Sequence, residues 1–428
     1  MTSTAVRPRR QTSGNRTNTL RGYPRGRRPT PRGRRPRRVP WPTRTGRWAR
    51  HHKARTFLLL LGTFLAVTLW SLGSALTDPA NGVGTSARLS EWLRGHGGGS
   101  VVTWAENLWY SHHPPPVGGA PAPGAIPPAS ASPSRVLQGP GQLPVPAPVT
   151  PFASPATPGE GTWHPVGRLV GGVPAVYETF LRPDAVHTSV VTGVAYMDTR
   201  LLSATLYSGS AIPGGGPWQV TAPISAQASQ GLVVAFNAGF RMADANGGYY
   251  TQGQTVVPLR TGAASFVISR DGTARVGRWG RDVSLTPDVV SVRQNLDLLV
   301  DGGQPVPGLQ SNDTHQWGST LGGQVFVWRS GVGVTADGAL VYVAGPNLNI
   351  TDLADVLARA GAVRAMELDI NSDWVNLATY DPGPAPTPAT PASGTNLLPA
   401  MVGTPARYFQ DWWTRDFFTM SARPTTGR

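Results

Sequence analysis

The chain contains no cysteine, which excludes disulfides, thiolate nucleophiles and thiolate metal sites. A domain large enough to need no covalent staples tolerates that absence even in an oxidising compartment. Lysine is almost missing as well, Lys53 being the one lysine among 38 basic residues. Acid is missing from one region. Residues 1–55 hold 18 of the 38 Lys and Arg and no Asp or Glu, so the formal charge of +15 belongs to that stretch; the remaining 373 residues carry 20 basic against 23 acidic groups. In the same stretch Arg alternates with Pro, Gly and Thr, and large aliphatic residues are scarce. It cannot bury enough apolar surface to fold, so residues 1–55 are expected to be a disordered tail.

Beyond the tail comes a run with no charge at all. Phe57 to Leu76 reads FLLLLGTFLAVTLWSLGSAL, 20 residues that as a helix span roughly 30 Å, the hydrocarbon thickness of a bilayer. A single transmembrane helix is predicted over residues 56–77; a leader cleaved after Ala75 is the alternative. The cationic flank keeps the N-terminus cytoplasmic and sends the rest of the chain outside. An Arg-rich tract in isolation suits nucleic acid. Beside a bilayer it suits topology and anionic lipid headgroups instead, so lipid is the expected partner and nucleic acid is not.

Residues 78–113 form a membrane-proximal segment in which Val101, Trp104, Ala105 and Leu108 recur at helical spacing. Trp92, Trp104, Trp109 and Tyr110 there suit either a membrane interface or a small helix packed on the main domain. Residues 114–160 are Pro, Ala, Gly and Ser throughout and read as a semi-rigid spacer. The folded head is placed at 161–428, with a Pro-rich insert at 381–405. Short runs of Val, Leu, Thr and Tyr (Ala175–Phe180, Val186–Met197, Leu201–Tyr207, Leu232–Phe236, Ser265–Ser269, Ala274–Gly277, Leu296–Val300, Val325–Trp328 and Ala339–Val343) end in Gly, Pro or Asp and read as strands. The expected fold is α+β: a β-rich mixed-sheet domain with one or two helices, preceded by the transmembrane helix and disordered segments. Arg407 to Met420, RYFQDWWTRDFFTM, is too aromatic for a free tail and should dock as a last strand, its Trp412 and Trp413 in core packing rather than on a glycan.

The chemistry concentrates in VRAMELDINSDW, Val363 to Trp374. Met366, Leu368 and Ile370 alternate with Glu367, Asp369 and Asn371, which puts the three polar groups on one strand face and the two carboxylates about 7 Å apart at Cα. Like charges that close are costly unless paired, protonated or at work. A helix precedes the strand, with Thr351 as its cap, a stripe of Leu353, Val356, Leu357 and Ala360, and Gly361 as its stop.

Four stretches lie in one order: VVAFNAGF (Val233–Phe240), NLDLLVDGGQPV (Asn295–Val306), WRSGVGVTADGALVYVAG (Trp328–Gly345), and this helix with its acidic strand. In that order and spacing the chain resembles the phosphodiester glycosidase family. The family spells its motifs Asn-Gly-Gly-Phe, Leu-Val-x-Asp-Gly, Arg-Thr-Ala-x-Gly and Leu-Asp-Gly-Gly-Gly-Ser. Ala238 replaces one glycine of the first, and Ile370-Asn371-Ser372 stands where the last has glycines.

The resemblance, taken together with the anchor and spacer, implies a membrane-anchored, extracytoplasmic hydrolase of sugar-1-phosphodiesters in cell-wall or exopolysaccharide material, with a glycan or sugar-phosphate polymer as partner. The altered glycines keep open a non-catalytic glycan-binding or envelope-assembly protein on the same fold. Cleavage of such a bond requires stabilisation of an oxocarbenium-like centre and cations on the phosphate. Asp369 is the candidate nucleophile or base, with Glu367 its partner unless Glu367 is paired to Arg364 or Arg329. Arg329 and Arg241 are candidates for the phosphate, since a guanidinium grips it bidentately. Asn237 and Asn371 are candidates for sugar hydroxyls, Asp301 for a binding role or a hairpin turn, and His315, in the loop SNDTHQWG, for a proton carrier. The sequence does not specify a cofactor, and no stretch has metal-ligand spacing.

Overall fold

The computed structural model describes residues 45–128, 141–311, 314–318 and 324–424. The basic tail through residue 44 lies outside them. The chain divides into two units, Met1–Leu65 and Ala66–Arg428. Its helices are α1 (Thr45–Thr77), α2 (Thr85–Gly95), α3 (Gly99–His112), α4 (Ala226–Ser229), α5 (Thr314–Trp317) and α6 (Ile350–Arg359). Helix α1 starts well ahead of residue 56, and its portion His52–Thr77 is long and apolar enough to cross a membrane.

The head is an α+β body dominated by sheet. The largest sheet has eight strands, in the order His164–Val170, Val173–Leu181, Thr192–Met197, Leu340–Leu348, Val327–Thr335, Ala362–Glu367, Leu298–Asp301 and Gln304–Pro305. A five-stranded sheet runs Gln254–Val257, Tyr249–Thr251, Val289–Gln294, Ala264–Ser269, Ala274–Arg278. A second runs Gly394–Asn396, Leu377–Tyr380, Leu232–Asn237, Phe417–Ala422, Leu202–Tyr207. Every ladder between these strands is antiparallel. The expected mixed sheet is thus antiparallel throughout the described ladders, as short connections between neighbouring strands favour. Val176, Met197, Phe236, Phe266, Tyr342, Met366 and Phe418, drawn from all three sheets, meet in one buried core. The C-terminal aromatic segment supplies a central strand, Phe417–Ala422, paired on both sides.

Two proline-rich stretches depart from expectation. Residues 141–160 do not stand off as a spacer: Leu143, Val149 and Ala153 are buried, the Leu143 amide donates to Asp198 Oδ2 at 2.7 Å, and Glu160 forms a buried ion pair with Arg182 at 2.8 Å. Within 381–405, the segment Gly394–Asn396 joins a sheet and Leu397, Leu398 and Met401 enter the core. Proline supplies no donor, but the apolar residues between the prolines still gain from burial, and that settles their place.

Helix α6 is capped by Asn349 rather than Thr351. Asn349 Oδ1 accepts from the Asp352 amide at 2.9 Å and Asp352 Oδ2 from the Asn349 amide at 3.1 Å, a reciprocal capping box. Leu353, Val356 and Leu357 are its buried stripe. Gly361, at φ 97°, takes the left-handed turn that leads straight into Ala362–Glu367.

Candidate functional site

The acidic strand ends at Glu367, but its ladder partner carries the chain two residues further: the Leu368 amide donates to the Ser330 carbonyl at 2.8 Å, and the Ser330 amide to the Asp369 carbonyl at 2.8 Å. Asp369 therefore sits at the sheet's rim. Its Oδ1 accepts from the amides of Ile370 and Asn371 at 2.8 and 3.0 Å, a tight turn that aims the residue at a cleft of about 610 Å³. Burial raises the Asp369 carboxyl to about 6, although Arg415, the two amides and Arg241 draw it down. Asn371, also on the cleft, holds the turn through its Oδ1, which accepts from the Asp373 amide at 2.9 Å.

Two arginines face Asp369 across that cleft. Arg241, just past the first motif, pairs with Asp244 at 3.0 Å and with Glu91 of α2 at 3.4 Å. Arg415 lies 3.5 Å from the same Glu91 oxygen, with its guanidinium 4.2 Å from the centre of the Trp374 ring. One carboxylate oxygen thus lies against both guanidinium groups. Helices α2 and α3 form the remaining wall with Arg94, Glu106 and Tyr110, while the Val83 amide donates to Asp373 at 2.9 Å. Residues 78–113 therefore include a helical pair that walls the site. Val101, Trp104 and Leu108 of α3 stay exposed, and Trp109 lies at the cleft.

A buried network sets the two arginines side by side. Arg293 donates to the Phe240 carbonyl, next to Arg241, and to Asp416 Oδ2 at 2.7 Å, next to Arg415. Asn295 accepts from the Phe240 amide at 3.0 Å and donates to the carbonyls of Glu367 and Leu368 at 3.0 and 3.1 Å. It ties the first motif to the fourth. Gly239 is required between them, since a Cβ there would lie 2.7 Å from Asn295 Oδ1; Ala238 has no positive φ and fits without strain.

The other sequence candidates lie elsewhere. Glu367 is fully buried and accepts from Arg329 Nη1 at 2.6 Å, and burial lifts it to about 7 against that pull. Arg329 also donates to the carbonyls of Leu348 and Val325 at 2.9 and 3.0 Å. Neither residue lines the cleft, so the alternation that joins Glu367 to Asp369 on one face does not bring both to the surface. Asn237 is buried, its Oδ1 accepting from Tyr342 at 2.8 Å and the Asn376 amide at 3.1 Å while Nδ2 donates to Ala238 and Ser330. It is a strut. Asp301 closes a hairpin and pairs with Arg281 at 2.7 Å. His315 lies in α5, and its side chain is outside the described residues. Arg415 and Glu91 were not singled out by sequence. Arg415 stands in an aromatic segment that reads as core, and the need of an arginine in such a segment for a carboxylate is the signal that could have found it. Among the described residues no three His, Asp or Glu side chains converge to hold a metal ion.

An acid held at a strand end, opposite paired guanidinium groups in a concave cleft, can grip a phosphorylated sugar and stabilise positive charge beside it. Residues 230–369 match the family model described as phosphodiester glycosidase, so this stretch, which runs to Asp369 itself, carries the domain its motifs resemble. That family is one of glycosidase-type hydrolases. Among solved structures, the chain is similar to the zebrafish N-acetylglucosamine-1-phosphodiester alpha-N-acetylglucosaminidase catalytic domain (15% identity, 61% of this chain and 88% of that one, TM-score 0.38). A hypothetical protein from Synechocystis (12%, 61% and 64%, TM-score 0.30) and a putative exported protein from Burkholderia pseudomallei K96243 (14%, 54% and 74%, TM-score 0.29) are also similar. No curated protein matches the chain.

Proposed function

We propose that the protein is a membrane-anchored, outward-facing hydrolase that cleaves a sugar-1-phosphodiester bond of the GlcNAc-1-phosphate type in cell-wall or exopolysaccharide material. The observation that carries this is the single carboxylate of Glu91 lying against Arg241 and Arg415 within the cleft that Asp369 lines. The carboxylate marks where an anionic phosphodiester oxygen is bound. The sugar then lies toward Asp369 and Asn371. Hydrolysis breaks the anomeric C–O bond; water delivers hydroxyl to the sugar, and its remaining proton balances the departing phosphate monoester. A phosphomonoester leaves readily, so the two arginines need only neutralise its charge. Asp369, ionised above its raised pKa of about 6, stabilises or attacks the oxocarbenium-like centre. Glu367 and Arg329 act as a buried support for the strand.

The apolar length of His52–Thr77 supports the anchor, and the arginine excess before it supports a cytoplasmic N-terminus with the head outside. The full chain should release sugar from a panel of anomeric sugar-1-phosphodiesters, and Asp369→Asn should abolish release while keeping the fold. Wild-type turnover no greater than that of Asp369→Asn across the panel rules the activity out. A second reading, a non-catalytic glycan binder, is favoured by one detail: the amides of Ile370 and Asn371 are spent on Asp369 Oδ1 rather than offered to a ligand. It predicts polymer binding that survives Asp369→Asn with no turnover.

A further inference from the structure

The cation pair has a cavity on each side of it. Beside the cleft that holds Asp369, a second cavity of about 320 Å³ shares Glu91, Arg241 and Arg415 with the first, but not Asp369. Its other walls are chiefly apolar, Ala80, Ala211, Ile212, Pro213, Met242 and Ala243, with Asn81 and Thr414 as the polar exceptions. A phosphodiester has two substituents, and a phosphate gripped at the shared arginines directs one of them into each space. The sugar belongs with the carboxylate. The second alcohol belongs in the other cavity.

We propose that the second cavity is an acceptor subsite that takes an apolar, lipid-type alcohol, so that the substrate is a lipid-linked sugar-1-phosphodiester and the product an alkyl phosphate monoester. This rests on the hydrolase activity proposed above and names its substrate class. Three observations support an alkyl chain over a second sugar. Besides the shared charged trio its polar side chains are Asn81 and Thr414, and both are spent on the backbone, Asn81 Nδ2 donating to the Ala75 carbonyl at 3.2 Å and Thr414 Oγ1 to the Ala80 carbonyl at 3.3 Å, rather than held free to orient sugar hydroxyls. Its cations suit the phosphate at one end of an amphiphile. Its wall at Ala80 and Asn81 lies immediately after α1, where Asn81 Nδ2 donates to the Ala75 carbonyl at 3.2 Å. The cavity wall thus follows the apolar span His52–Thr77 within a few residues of chain, which suits a substrate whose second alcohol is itself apolar.

The test uses the full chain in lipid nanodiscs with two synthetic diesters that share one sugar and differ in the second alcohol, methyl or octyl. Each methylene buried contributes about fourfold, so kcat/KM for the octyl diester should exceed that for the methyl diester by at least about tenfold. Ala243 is exposed and tolerates a larger side chain. Ala243→Glu, which puts a charge into the cavity, should bring the octyl-to-methyl ratio close to one, and Ala243→Leu should lower the preferred chain length. Robust turnover of both diesters with equal kcat/KM overturns the apolar subsite and leaves the hydrolase standing. A preference that persists unchanged in Ala243→Glu shows partition into the nanodisc rather than a subsite, and also overturns it. No turnover of either diester, with the protein folded, removes the activity and the subsite together.

Discussion

Replacing Arg415 by Gln tests the cation pair directly. The side chain is buried, its guanidinium stacks on Trp374 at 4.2 Å, and its ion-pair partner is Glu91 at 3.5 Å. Gln retains much of the stem and removes the charge. If the phosphate sits where the Glu91 carboxylate now lies, the change deletes a charge-assisted hydrogen bond of about 1.5–3 kcal/mol, or roughly ten- to 150-fold in kcat/KM. A second effect is independent of binding. Arg415 is the foremost of the groups that hold the Asp369 carboxyl down against burial. Without it protonation becomes easier, the pKa climbs above about 6, and the acidic limb of the pH–rate profile moves to higher pH. The assay is kcat/KM between about pH 5 and 9 on a GlcNAc-1-phosphodiester, with thermal denaturation to confirm folding. Arg415→Lys separates the two effects: it keeps the limb near its place but loses rate, because an ammonium lacks the planar fork. An unmoved limb together with an unchanged kcat/KM in Arg415→Gln refutes both the phosphate role and the coupling to Asp369.

Glu91→Gln removes the internal carboxylate that competes with substrate for the arginines. KM should fall about fivefold, as for one partly exposed ion pair, and a rise in KM would show that Glu91 serves the site instead of occupying it. Glu178 is buried, its Oε1 has no hydrogen-bond partner, and burial lifts its carboxyl from the ordinary 4.5 to about 8. Its stability contribution is present below pH 4.5 and is lost as pH rises through about 8, on the order of 3–5 kcal/mol in total. Glu178→Gln should flatten the dependence of Tm on pH and stabilise the protein at alkaline pH; parallel wild-type and variant curves would contradict the assignment. Arg329→Met strands Glu367 in the core and should cost about 3–5 kcal/mol by denaturant unfolding, most of it recovered when Glu367→Met is added. A near-neutral single variant would mean that the pair is solvated.

The sheet-forming runs were readable because most stay apolar and β-branched between breakers; Leu232–Asn237 and Ala264–Ser269 coincide with their predicted runs to within a residue. Asp369 was readable from motif order, and the helix before it from its stripe and Gly361. Depth was not readable. Period-two alternation tells which face a side chain takes, not whether that face is open at that point along the strand. Glu367 lies one pleat further into the sheet than Asp369, where Arg329 covers it. Arg415 was hidden for a different reason: its sequence neighbours are Trp413, Asp416 and Phe417, whereas its chemical neighbours are Glu91 and Asp369, far away along the chain. Only tertiary contact brings such residues together. The prolines of 141–160 pointed to an extended backbone, and extended backbone can lie on a sheet as well as lead away from it.

The strand Phe417–Ala422 lies between Leu232–Asn237 and Leu202–Tyr207 and comes after both in chain order. Until it has been made and delivered, those two strands have no common partner, and Asp416 is not there to receive Arg293. A growing chain therefore stays open at the middle of a sheet until nearly all of it has been made. Arg415 arrives with the closing piece. Folding and the arming of the cleft are then one event, and the incomplete chain carries Asp369 with Arg241 but without the second cation, Arg415.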